Sequence, residues 1–519
     1  MKKRRLRRSV GFDKEMMFPV RCLARVLFTL LLSLYCTLQL NTASAQQETW
    51  TGGSGTDGKW SRRRNWNPNS SAPVNNGTAI LDFGAGTRTN SNVDVAWSIK
   101  SLTFNSGASA YRFTGSTLTL NGGITNNSSS TEIFSNLLAI GSAQTWRSTA
   151  GQLILAGGLT NRGFTLGITG DGDINFSGAM RGAGDLIKSG NGLLTLSANN
   201  THTGKTTING GTVSVGTDYN LGTAPGAAVT DKITLNGGKL RTTAGFALNQ
   251  NRGITVGSGG GNIETTTGAL TYGGIVTGVG TLTKSGAGTL TITGANTFAG
   301  NTFIQSGSLF VNNSIGSGTG SGNVTASTSG TLGGSGIIAG TVTVSAGGAL
   351  SPGVKVGTLH TGNEIWNGQG ILSLEIKDAT GTEGVGWDLL TINGSLTVNA
   401  KPANKFILDL HSLTAADLAG IAQNFDPNQS FSWRIVSTSG GINLLAGQTE
   451  DTVFGFMTDG FMNPLNGGKF SLDIANAGRD LQLIYTPVPE PSAANVLVMG
   501  LGILVLVQAR DRFTTTRRS

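Results

Sequence analysis

The sequence predicts an all-β protein: a right-handed parallel β-helix, or solenoid, followed by a small antiparallel β-rich C-terminal domain, with an N-terminal signal and a C-terminal membrane helix at its ends. Three observations lead there. Residues 182–215 recur at 278–311 with a constant offset of 96 residues and no gap, and 16 of the 34 aligned positions are identical. Self-similarity on that scale marks a repeated supersecondary unit. Within the unit, runs of about five residues alternate apolar and hydroxylic side chains, as in TLTI and TVSV, which places one face of a strand inside and the other outside. Between the runs stand SGNG, NNTHTG and NGG, where Gly and Asn permit the positive φ that tight corners need. Strands this short cannot close a core singly, but stacked coils can cover one another.

The elements follow in order. Residues 1–45 have a basic start, an apolar core from Val26 to Leu40, and Ala43-Ser44-Ala45 before Gln46. That is the layout of an export signal cleaved between Ala45 and Gln46, with Met16 or Met17 as alternative starts to Met1. Cys22 and Cys36 both lie in it, so the exported chain has neither disulfides nor thiol chemistry.

Residues 46–120 hold Trp50, Trp60 and Trp66. Their indoles either form a stacking platform for sugar rings or cap the open end of the solenoid, since terminal repeats must be atypical. The β-coil pattern is established by Ser98–Ile124 and continues through 121–358, ending near a corner at Ser351-Pro352-Gly353. Each 96-residue cycle holds several coils of roughly 20 to 25 residues.

Residues 359–486 contain less Gly and longer alternating strands, and are expected to form the antiparallel C-terminal domain. One helix is predicted at 414–423, with Thr414 as its N-cap. Residues 487–519 comprise Pro489-Glu490-Pro491, an apolar stretch from Ala493 to Val507, and Arg510, Arg512, Arg517 and Arg518. The apolar stretch reads as a membrane helix, with the arginines remaining cytoplasmic.

Composition narrows the function. The net charge of +9 belongs to the ends: nine Lys/Arg against two Asp/Glu in 1–45, and four Arg against one Asp in 491–519. The remainder is close to neutral, which excludes a nucleic-acid partner. A polysaccharide lyase or hydrolase would need clustered carboxylates on one face. Between residues 160 and 356 there are six acids, of which only Asp171 and Asp173 are close. That pair is read as an ordinary turn, with a cation site as the alternative. His202, His360 and His411 are far apart, and His202 aligns with Phe298, so its position asks for bulk. Lys188 and Lys284 occupy equal positions in two copies and are read as structural or solvent-facing, together with Gly190, Gly192, Gly204, Gly286, Gly288 and Gly300. No catalytic residue, cofactor or metal site is assigned.

Three stretches carry a family resemblance. Gly184, Leu186, Lys188, Gly190, Gly192, Leu194 and Leu196, then Asn200, Gly204, Thr206 and Gly211, resemble the autotransporter-associated β-strand repeat. The opening WTGGSGTDGKWS resembles the segment that often begins such proteins. The Pro489-Glu490-Pro491 triplet with its apolar stretch and basic tail resembles a PEP-CTERM sorting signal. The resemblance implies export across the inner membrane of a Gram-negative-type bacterium, recognition by an exosortase-type processing enzyme, and association with extracellular polysaccharide or the cell surface. The chain departs from true autotransporters, which end in a membrane barrel with a terminal aromatic residue; here Arg517-Arg518-Ser519 stand last. The function expected is scaffolding or adhesion by a non-enzymatic surface protein. A polysaccharide-active enzyme and a protein-binding adhesin are the alternatives.

Overall fold

A computed structural model describes residues 46–55 and 57–488. It is a parallel β-solenoid of about 13 turns with almost no helix. Along the solenoid, strands pair in parallel with the strand one coil later. On the first face Leu186 pairs with Thr206, Thr206 with Ile233, Ile233 with Ile254 and Ile254 with Val276, coil lengths of 20 to 27 residues. On the second face Leu194 pairs with Val213, Val213 with Leu240 and Leu240 with Ile263. A third face carries short strands such as Leu159–Thr160 and Met180–Arg181. At about 4.8 Å per coil the rod is roughly 60 Å long.

The alternation read in the sequence is the alternation of burial. In Thr289–Ile292 the pattern is half-buried, buried, half-buried, buried, and the inward Leu and Ile side chains of successive coils form one continuous core.

The N-terminal end is plugged by aromatic side chains. Gln47–Trp50 lies parallel to Ile80–Phe83, while Trp66–Asn67 turns back antiparallel to it. Trp50, Trp60 and Trp66 are 3%, 0% and 1% exposed. They pack edge to face with one another and against Phe83, Trp97 and Phe113. Their N–H groups donate to Arg88 O, Ser91 Oγ and Trp60 O at 3.0, 2.7 and 2.8 Å, which satisfies polar atoms that burial would otherwise strand.

From residue 359 the pairing differs from the expected antiparallel domain. Ala349–Pro352 does end at a corner, with Gly353 at φ 81°, but the solenoid runs on. Ile371–Ile376 pairs in parallel with Phe406–Ser412, and that strand with Phe454–Gly460. Among the described residues past 359, antiparallel ladders appear only where Asp480–Thr486 joins Phe431–Thr438 and Lys469–Ala475. The cause is that a longer alternating strand buries one face equally well in either direction, so alternation carries no information on pairing sense.

The helix expected at 414–423 is absent. Leu413 and Ala419 form an antiparallel bridge, Asp417 has φ 58°, and Thr414 Oγ1 accepts from Leu418 N at 3.3 Å inside a tight turn. Leu418 and Ile421 are 65% and 61% exposed. A single short helix with no apolar surface to pack on is marginal. The one α-helix among the described residues is Glu450–Val453. No helix among them is long and apolar enough to cross a membrane. The export signal up to Ala45, and Pro489, Glu490, Pro491, Arg510, Arg512, Arg517 and Arg518, lie outside the described residues.

Candidate functional site

The repeated lysine and asparagine side chains point inward and reach the corners of the coil, whereas the repeated Thr201 and Thr297 are exposed. Lys188 and Lys284 are 1% and 0% exposed, so they do not face solvent. Lys188 Nζ donates to Ser189 O, Gly190 O and Gly210 O at 2.8, 2.8 and 3.4 Å. Lys284 Nζ donates to Ser285 O, Gly286 O and Ser306 O, each at 3.0 Å. A corner has no ladder, so its carbonyls lack partners; an ammonium has three donors and no acceptor, which suits a cage of three carbonyls. Two carbonyls belong to the lysine's own corner and one to the next coil, so each lysine ties two coils together.

Burial pulls both ammonium groups down to about 8, an effect opposed at Lys188 by Asp173 and Asp171 and at Lys284 by Glu264. Gly190 and Gly286 turn these corners at φ 71° and 78°. Gly204 and Gly300 stand at another corner, where a Cβ would lie 2.0 Å from Gly184 O and Gly280 O. Gly192 and Gly288 would similarly meet Gly172 O and Gly268 O, at 2.4 and 2.6 Å.

A second polar staple repeats with the first. Asn200 Oδ1 accepts from Met180 N at 2.7 Å, and its Nδ2 donates to Asn220 O at 2.6 Å. Asn296 does the same between Val276 N and Gly318 O, at 2.7 and 2.5 Å. Beside them His202 and Phe298 are both 0% exposed. Neither ring nitrogen of His202 has a partner, and burial, then Lys232 and Arg252, push it down to about 4. It is a neutral space-filler.

The other candidates also resolve into structure. The buried indoles of Trp50, Trp60 and Trp66 offer no face to a sugar ring. Asp171 Oδ1 accepts from Asn191 Nδ2, and Asp173 Oδ1 from Leu193 N, both at 2.9 Å; the pair braces the next coil. His411 Nε2 meets Asp409 Oδ2 at 3.0 Å. His202 lies far from both His360 and His411, which stand near the C-terminal end. Among the described residues no three His, Cys, Asp or Glu side chains are placed to hold a metal ion.

The structure adds acids that the sequence reading missed, because a lone carboxyl in a strand has no motif. Glu132 and Glu364 point into the core and are raised by burial to about 7 and about 8. Glu48, in the first strand, is raised to about 7 by the same cause. Asp388 is fully buried. It accepts from Gly357 N and Glu375 N at 2.8 and 2.7 Å. Burial, reinforced by the Glu375 carboxyl, holds it well above the usual carboxylate range. Asp388 has no exposed surface through which a substrate could reach it, whereas Glu375 beside it is half-buried.

With that geometry in view, the likenesses to known proteins fall into place. The two units match the passenger-associated-transport-repeat family at residues 186–215 and 282–310. Those limits enclose the lysine cages, the asparagine staples and the corner glycines. The chain is also 32% identical over 255 residues to the adhesin BmaC autotransporter of Brucella suis biovar 1 (strain 1330). That match takes in 46% of this chain and 7% of the relative's length. The family signature is thus a stacking code, and what remains free to meet other molecules is the outer surface of the rod.

Proposed function

We propose that the chain is an exported, non-enzymatic surface protein with a structural and adhesive role, in contact with extracellular polysaccharide. The single observation that supports this best is the fate of the repeat signature. The recurring lysine and asparagine side chains are used up in contacts within and between coils, and a relative 32% identical over 255 residues is named an adhesin. A rod with outer faces rich in Thr, Ser and Asn offers many weak hydrogen-bonding sites along its length, which suits multivalent contact. We further propose that Ala45–Gln46 is the cleavage point of an export signal, and that Pro489-Glu490-Pro491 is cut by an exosortase-type enzyme after Ala493–Val507 has held the chain in the inner membrane.

The test is surface labelling of intact cells, mass spectrometry of both chain ends, and adhesion of cells to polysaccharide-coated plates with and without the protein. The reading expects a labelled, end-processed protein whose loss lowers adhesion. An unprocessed intracellular protein would overturn it. So would sugar release by the purified protein that disappears with Asp171→Asn and Asp173→Asn.

A further inference from the structure

We propose that a dimple on the outside of the first face, centred on Gly167, binds one ring of a neutral polysaccharide chain. This rests on the surface-glycan reading above and gives it a place. The register builds the dimple. Thr145, Gly167 and Ile187 stack on successive coils, while Thr165 and Thr169 flank Gly167 along its own strand with the same orientation. Four side chains thus rise around a residue that has none, and they bound a concavity of about 320 Å³.

Its chemistry is mixed in the way a pyranose requires. Ile187 and the threonine methyls give an apolar wall for ring C–H groups, and the threonine hydroxyls stand exposed or half-exposed around it. Gln144, next to Thr145 in its strand, turns its side chain to the opposite face, beside the buried Trp146, and fixes the strand behind the dimple. Its Nε2 donates to Leu120 O and Ser142 O at 2.7 and 3.2 Å, and its Oε1 accepts from Trp146 Nε1 at 2.8 Å. A strand held in this way loses little freedom when the dimple in front of it is filled. No residue lining the concavity is ionisable, so nothing in it selects a charged sugar.

Beyond Ile187 the same outward row continues as Thr207, Thr234, Thr255 and Thr277. These hydroxyls recur once per coil, about 4.8 Å apart, a spacing comparable with the length of one pyranose ring. A chain seated in the dimple is therefore carried along the rod axis.

The experiment is calorimetric titration of the full chain with two neutral probes, cellohexaose and a short dextran. Wild type is expected to bind at least one of them. Gly167→Phe fills the dimple, and should weaken binding at least tenfold. The three atoms nearest a Cβ at Gly167 all belong to the outward Thr145 side chain, Oγ1 at 2.7 Å, so Thr145 must turn aside while the core behind the strand is left intact. Ile187→Ser should weaken binding several-fold by removing the apolar wall. Thr271→Phe, at an exposed position on another face, should change nothing. If wild type and Gly167→Phe bind alike, the site is overturned while the glycan reading stands. If wild type binds neither probe, both the site and the neutral-glycan reading fail.

Discussion

The two repeat units share one local geometry on two different faces of the rod. Lys188 stands in the row Ile168, Lys188, Ile208, Leu235, Val256 and Gly278. Lys284 stands one face further round, with Ile263 before it and Ile304 after. The 96-residue offset therefore carries the chain four coils and one face onward. The motif encodes a run of short strands and the corners between them, four strands in the first copy and three in the second; it does not encode a side of the molecule. Residues that match in sequence point in different directions, so no single ligand contacts both copies in the same way. One local difference accompanies this. In the first copy Thr206–Ile208 and Thr212–Val215 are separate strands across Gly210 and Gly211, whereas Ser306 in place of Gly210 allows Thr302–Val311 to run unbroken.

The hardest test of that equivalence is the bulky position between the staples. Phe298→Ala empties a fully buried site and should cost about 3–5 kcal/mol, read as a lower midpoint in urea unfolding. A loss below about 1 kcal/mol would mean that the ring is not part of the stacking code.

The lysine cages come next. Lys188→Met and Lys284→Met keep an apolar stem but leave three corner carbonyls without their donor. Each should lose about 1–3 kcal/mol, and the two losses should agree despite the change of face. The sites share no partner, so the double variant should lose close to the sum. A large loss at one lysine and none at the other would break the comparison.

The strand grammar and the repeat were legible because Gly, Asn and alternating Thr/Leu runs fix corners and faces locally. Phe298 in the place of His202 announced that bulk, not imidazole chemistry, was wanted there. The direction in which Lys188 points was not legible. Lysine is ordinarily a surface residue, and only the stacked coils supply the Gly210 carbonyl that completes its cage. The continuation of the solenoid past residue 359 was hidden for a similar reason: Ile371–Ile376 alternates in the same way whatever the sense of its neighbour. The stretch 414–423 read as a helix from Thr414 and its Ala/Leu content, but the apolar surface that would hold a helix there is absent. The dimple at Gly167 was invisible because it is made by Thr145 and Ile187, which only register places beside it.

A smaller effect, of opposite sign, separates the copies. His202→Phe makes the first unit like the second. It removes two buried ring nitrogens that lack partners and should stabilise the chain by about 1–2 kcal/mol. Space exists at both positions, because Gly222 and Gly320 lie against the two side chains. A destabilised variant would show that the surroundings of His202, Lys232 and Arg252 have been shaped to the imidazole.

The smallest effect is one of slope. Lys188 and Lys284 fall from 10.5 in the unfolded chain to about 8 in the folded one. Between those values the unfolded chain binds more protons than the folded one, so stability contributed by these lysines rises with pH. It is complete above about 10.5 and lost as pH falls through about 8. Other lysines and tyrosines titrate in the same window, so the wild-type curve alone does not isolate the cages. The difference between wild type and the double Lys→Met variant does. Unfolding midpoints measured from pH 8 to 10 should rise more steeply for wild type, and each single variant should remove about half of the excess. Parallel curves would mean that the carbonyl cages hold the ammonium form as well as water does, and that burial costs these lysines nothing.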